Sequence, residues 1–123
     1  MKRPDLQLLT NEELVARFRQ LALDKSKYLL DSNTRAVNRD YEKMKGIEEE
    51  LRRRGPEARK ALAVLLDDED LRVRYEAARR LLAVVPERAL ATVQQVENEH
   101  FMPVSGEAGM TLLALENGIF KPT

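Results

Sequence analysis

Apolar residues recur three and four positions apart along most of this chain, the period of an α-helix with one covered face. The first run opens at Leu9-Thr10-Asn11-Glu12-Glu13-Leu14. Thr10 stands at an N-cap with Glu13 three residues later, a capping box, and Leu9 and Leu14 occupy the two positions of a hydrophobic staple. A helix starting there puts Leu14, Val15, Phe18, Leu21 and Ala22 on one stripe. It either continues to Tyr28, Leu29 and Leu30 or breaks near Asp24-Lys25-Ser26. Residues 1–9 read as an extended arm, because Pro4 opposes an early helix. Asp31-Ser32-Asn33 is a cap cluster before a second helix over 34–54, with Val37, Tyr41, Met44, Ile47 and Leu51 inward. Its charged surface offers Glu48–Arg52, Glu49–Arg53 and Glu50–Arg54 as pairs four apart. Gly46 lies mid-helix and marks either a close helix crossing or simple tolerance.

Gly55-Pro56 ends that helix and starts a third over 57–66, carrying Ala58, Ala61, Leu62, Leu65 and Leu66. Asp67-Asp68-Glu69-Asp70 interrupts the pattern and supplies the next N-cap from Asp68 or Asp70. The fourth helix, 71–84, has two adjacent rows: Val73, Ala77, Leu81 and Val85 beside Arg74, Ala78 and Leu82. Pro86 opens a fifth, running to about Asn98 with Ala89, Leu90, Val93 and Val96 inward. After a loop over 99–104, Ser105 is placed to cap a sixth helix bearing Ala108, Leu112, Leu113 and Leu115. Gly118 closes it, with Ile119 positioned as the apolar contact of the C-cap.

The pattern therefore predicts an all-α fold, a short α-α superhelix of about six helices in one domain over 1–123. A self-comparison at an offset of 31 sharpens it. Leu62 aligns with Val93, Leu65 with Val96, Asp67 with Asn98, Val73 with Val104, Ala77 with Ala108, Ala78 with Gly109, Leu81 with Leu112 and Leu82 with Leu113. The spans 57–85 and 86–119 read as two repeats behind an N-terminal hairpin over 10–54. The stretch LAVLLDDEDLRVRYEAARRLLAVVP is similar to HEAT-like repeats of the phycobilin-lyase type, with their Leu-Leu, acidic turn, Val-Arg and Ala-Ala-x-x-Leu order. Ser105 stands where the second copy would carry the repeat's arginine. The whole chain also resembles a small bacterial family known only as a domain of unknown function with this fold. Such repeats most often form rigid protein-binding surfaces; DNA-binding and lyase-related members are a minority.

Composition narrows the chemistry. The chain has no cysteine, which removes disulfides, thiolate metal sites and cysteine nucleophiles. Neither a signal-peptide pattern nor a membrane-spanning run is present, so a cytoplasmic protein without a membrane partner is expected. Twenty-one basic residues balance twenty-one acidic ones, against the basic excess of a nucleic-acid binder. The balance is uneven along the chain: residues 32–66 carry nine basic and six acidic side chains, residues 67–123 six and ten.

Candidate sites follow. The acidic turn lacks an EF-hand's spacing and glycine, so capping explains it better than a cation does. Arg74, on an apolar row, is expected to form a partly buried ion pair with Asp67, Asp68 or Asp70, or with Asn98 or Glu99. His100 is the only histidine; a zinc site there would need carboxylates, and a triad would need Ser105 as nucleophile without a nucleophile-elbow frame. No phosphate-cradling glycine loop is present. Arg52, Arg53, Arg54, Arg59, Lys60, Arg72, Arg79 and Arg80 are the residues that a phosphate-binding groove would use. No catalytic, cofactor or metal residues are assigned, and no enzyme activity is expected. The expected function is binding of another protein on the concave face of helices two, four and six, with nucleic-acid binding or toxin neutralisation as alternatives. Arg53, Arg72, Arg79 and Arg80 are the polar candidates for that surface. Leu113, Ile119 and Phe120, with Leu115, are the apolar ones, forming a partner or homodimer contact at the C-terminal flank unless the tail covers them.

Overall fold

A computed structural model describes residues 5–123, and all regular structure in that range is helical. The helices are α1 (Asn11–Leu30), α2 (Thr34–Arg54), α3 (Pro56–Lys60), α4 (Leu71–Leu81), α5 (Pro86–Asn98) and α6 (Val104–Glu116). Two 3-10 segments accompany them, Leu6–Leu8 before α1 and Ala61–Asp67 after α3. The fold is all-α with six helices. The chain forms two compact units, one ending at Ala61 and one beginning at Leu62. Residues 1–4 of the expected arm lie outside the described residues, and in its remainder Leu6–Leu8 are a 3-10 turn capped by Asp5, in place of the expected extended segment.

The first unit is the α1–α2 hairpin with α3. The Thr10–Glu13 capping box forms with both bonds present: the Glu13 amide donates to Thr10 Oγ1 at 3.1 Å, and the Thr10 amide donates to Glu13 Oε1 at 3.0 Å. These bonds also hold the Glu13 carboxyl below its ordinary pKa, the Thr10 main-chain donor contributing most. Helix α1 continues unbroken past Asp24 to Leu30, burying Leu14, Val15, Phe18 and Ala22. Asn33 caps α2 through Ala36. The stripe α2 buries differs from the expected one. Ala36, Asp40, Met44, Ile47 and Leu51 are buried, while Val37 is half-buried and Tyr41 exposed. At about 100° per residue, Asp40 lies at the centre of the face defined by Met44, Ile47 and Leu51. Gly46 marks no close helix crossing: a Cβ there would meet only the Leu6 side chain at an ordinary 3.7 Å.

Glu50 is the hub of the first unit's ion pairing. Its carboxylate takes Arg53 Nη2 at 2.6 Å and Arg54 Nε at 2.7 Å. Arg54 then reaches the start of the unit, donating to Asn11 Oδ1 at 2.9 Å and to the Leu6 carbonyl at 3.0 Å. The two arginine hydrogen bonds, Arg53 first, hold the Glu50 carboxyl down to about 2 from an ordinary 4.5. A folded-state pKa below the unfolded one adds stability that is fully present above pH 4.5 and lost as pH falls through about 2. The melting temperature of the wild-type chain should therefore fall across that window, and Glu50→Gln should remove part of the fall. Thermal melts of both chains between those pH values check it; parallel curves would refute the assignment.

Unlike the single helix expected over 57–66, the chain tightens into 3-10 geometry from Ala61 to Asp67. With three residues per turn, Leu62 and Leu65 fall on one side and are buried, whereas Val64 points to solvent. In the second unit, α4 packs against α5 and α6, and α5 pairs with α6. Helix α4 ends at Leu81, and residues 82–85 turn towards Pro86. Its Asp70 cap forms as expected, Oδ1 accepting from the Val73 amide at 3.0 Å. Its core is Val73, Ala77, Ala78 and Leu81 with Ala89, Val93, Val96, Val104 and Ala108. Gly118, at φ 70°, closes α6: its amide donates to the Leu115 carbonyl and the Ile119 amide to Ala114.

Candidate functional site

Three charged residues spaced four apart on α4, Arg72, Glu76 and Arg80, share one helix face, and all three are buried. Their exposures are 3%, 0% and 5%. Glu76 is held between the two guanidinium groups: Arg72 Nη1 donates to Oε2 at 3.0 Å and Arg80 Nη1 to Oε1 at 2.5 Å. Arg72 also forks onto Glu107 of α6, with Nη1 to Oε1 at 2.9 Å and Nη2 to Oε2 at 2.5 Å. Beside this pair, the Tyr75 hydroxyl meets Thr111 Oγ1 at 2.7 Å, a second link from α4 to α6. Burial works against the charge on Arg72, but the hydrogen bonds and charges of Glu107 and Glu76 outweigh it and raise its pKa. The Tyr75 hydroxyl is pushed up, chiefly by burial. Two cations and two anions compensate one another here, and the planar Arg72 fork fixes the register of α4 against α6. Each carboxylate of the cluster is thus engaged by a guanidinium group. Within this cluster Arg72 Nε has no hydrogen-bond partner, as Asp40 Oδ2 has none in the first unit.

This burial corrects two surface assignments. Arg72 and Arg80 belong to the interior: both are buried, and α6 brings Glu107 against Arg72. Arg59 is buried too, and Arg54 is the clamp on the first unit's start. A phosphate-binding groove built on the eight basic residues thus loses half of its members. Arg53 keeps an exposed side chain, paired with Glu50. Arg79 is half-buried with its guanidinium 5.4 Å above the Phe120 ring, which brings Phe120 down while leaving Ile119 exposed. The apolar contact at the C-cap is therefore not made by Ile119.

At the acidic turn each residue has a separate task. Asp70 caps α4, Asp68 Oδ1 accepts from the Asp70 amide at 3.0 Å, and Asp67 pairs with Arg88 of α5 at 2.6 Å. Arg74 bends back over the turn and donates from Nε to the Asp68 carbonyl at 2.5 Å and from Nη2 to the Glu69 carbonyl at 3.4 Å. It reaches the turn through carbonyls, which protrude ahead of a helix start and accept a side-chain donor. Ser105 does not cap α6, whose N-cap position is held by Pro103. Its buried hydroxyl donates to the Val96 carbonyl and accepts from the Phe101 amide, both at 2.7 Å, tying the α5–α6 loop in place. Its proton is thus committed to a carbonyl, and His100 sits exposed at φ 52° ending α5. Among the described residues no group of three His, Cys, Asp or Glu could hold a metal ion, and no helix is long and apolar enough to cross a membrane.

Helix α6 leaves Met110, Leu113 and Glu116 exposed, and Phe101 and Met102 of the preceding loop are exposed as well. Residues 12–116 match the model of a family described as a domain of unknown function, DUF2019. The chain belongs to this family. A similar solved structure is the crystal structure of the protein RPA1889 from Rhodopseudomonas palustris CGA009. It is 33% identical, with a TM-score of 0.93, covering 98% of this chain and 100% of that one. No curated protein matches. In this DUF2019 chain the residues missed by sequence reasoning are Glu76, Glu107 and Arg54. The i, i+4, i+8 spacing of Arg72, Glu76 and Arg80 was a visible signal, but it equally describes a solvated helix face.

Proposed function

We propose that this chain is a non-enzymatic protein-interaction module built from HEAT-like repeats, with its docking surface on the outward face of α6. The repeat assignment is supported by burial at positions 31 apart. Leu62 and Val93, Leu65 and Val96, Val73 and Val104, and Ala77 and Ala108 are buried in both copies. The match fails towards the end of the second copy, where Gly109 and Leu112 are half-buried against buried Ala78 and Leu81. One difference at this end carries the functional conclusion: Leu82 is 7% exposed, whereas its counterpart Leu113 is 57% exposed. Arg79 lies over Phe120, whereas its counterpart Met110 is 74% exposed. Phe120 covers the α4 row at Arg79, and among the described residues no helix packs over the matching face of α6. Exposed, clustered apolar side chains of this kind mark association surfaces. Of helices two, four and six, the last therefore carries the partner. Burial of Arg72 and Arg80 disfavours nucleic acid as that partner.

The test is a photo-crosslinking amino acid at position 113, introduced in the native organism, with position 30 at exposed Leu30 as control. A single protein crosslinked from 113 and not from 30 is expected. No protein crosslinked from 113 would overturn the proposal.

A further inference from the structure

Resting on the interaction-module proposal, we infer that the α6 face takes a basic amphipathic helix of the partner, seated where the next repeat's helix would stand. The face is shaped for a helix. At about 100° per residue, Gly106, Met110 and Leu113 lie within roughly 60° of one another on the side away from the core. Gly106 matches Tyr75 at the same 31-residue offset, and Tyr75 is one of the residues that tie α4 to α6, through Thr111. Where the ring would stand, glycine leaves a gap, and Met102 lies in it, its Cε 2.5 Å from where a Gly106 Cβ would be. The result is a ridge of Met102, Met110 and Leu113, whose flexible thioethers adapt to an incoming apolar stripe.

Charge selects the occupant. Residues 89–120 contain no lysine or arginine but four glutamates, Glu97, Glu99, Glu107 and Glu116. Glu116 lies about 60° beyond Leu113 on one edge of the ridge, and Glu107 about 60° beyond Met110 on the other. The Glu97 carboxylate rests against Gly109 on the Glu116 edge, 2.7 Å from where a Cβ would be. Glu107 is engaged by Arg72, so the Glu97 and Glu116 edge, with Glu99 in the adjoining loop, carries the net negative charge. A second copy paired through the same face would bring two such acidic edges together. A helix with an apolar stripe and flanking lysines or arginines meets both the ridge and its rim.

The probe is a labelled helical peptide with leucines at i, i+3, i+4 and i+7 and lysines elsewhere, set against the same pattern with glutamates. Fluorescence anisotropy should show binding of the leucine–lysine peptide only, weakening at high salt. Met110→Asp and Leu113→Asp should each weaken it about tenfold or more, Glu116→Lys should weaken it, and Leu30→Asp should leave it unchanged. All replaced side chains are exposed, and circular dichroism confirms that the variants fold. Equal binding of both peptides, or wild-type affinity in Leu113→Asp, would overturn the inference. So would a dimer of the chain alone in sedimentation that Leu113→Asp dissociates, since a second copy then occupies the face. A partner crosslinked from position 113 through a segment that is not a basic helix sinks this inference and leaves the interaction module standing. Silence in both experiments removes both.

Discussion

Glu76→Ala is expected to destabilise the fold by about 3–5 kcal/mol, the usual consequence of removing one partner of a buried ion pair. The carboxylate is fully buried and shared by two buried guanidinium groups. Its removal leaves Arg80 without this anion, while Arg72 retains Glu107. For a chain of this length the melting temperature should drop by roughly 10–20 °C. The double variant Glu76→Leu with Arg80→Met separates charge from packing. It removes an anion and a cation together, keeps the Arg72–Glu107 fork, and should recover most of the loss. Chemical denaturation of the two single variants and the double variant closes the cycle. If the double variant is as unstable as the singles added together, Glu76 and Arg80 are not energetically coupled and the assignment is wrong.

Phe18→Ala should cost a similar amount, about 3–5 kcal/mol, by a different route. Phe18 is the largest fully buried side chain, on the α1 stripe with Leu14 and Ala22. Truncation removes the ring's burial and opens a cavity that two long packed helices cannot collapse to fill. Phe18→Leu keeps most of the volume and should lose much less. Urea denaturation of both variants measures this; a loss under about 1 kcal/mol for Phe18→Ala would mean that the site relaxes or the ring is not the core of the hairpin.

Local chemistry made much of the architecture legible. Thr10 caps α1 as expected, Asn33 of the Asp31-Ser32-Asn33 cluster caps α2, Asp70 rather than Asp68 caps α4, and Pro56 and Pro86 each stand at a helix start. These signals act over three or four residues, so a chain read in isolation contains them. Asp40 was also within reach. The phase of Met44, Ile47 and Leu51 alone puts it at the centre of the buried face, and the preference for apolar Val37 and Tyr41 concealed it. The Ser105 error has a comparable cause: serine before a helix usually caps, but Pro103 starts α6 two residues earlier, and the hydroxyl turns inward to Val96.

The sequence by itself determined the all-α class, the count of about six helices, several of the caps and the proline-marked starts, because periodicity and capping are properties of short segments. It did not determine which polar rows would be covered as well. Arg72, Glu76 and Arg80 read as a solvated face, yet they are interior in the packed second unit, where α4 packs against α5 and α6. Leu82 and Leu113 occupy equivalent positions in sequence, yet one is buried and the other exposed. Burial depends on which elements pack against a row in space, and among the described residues no helix closes that face of α6.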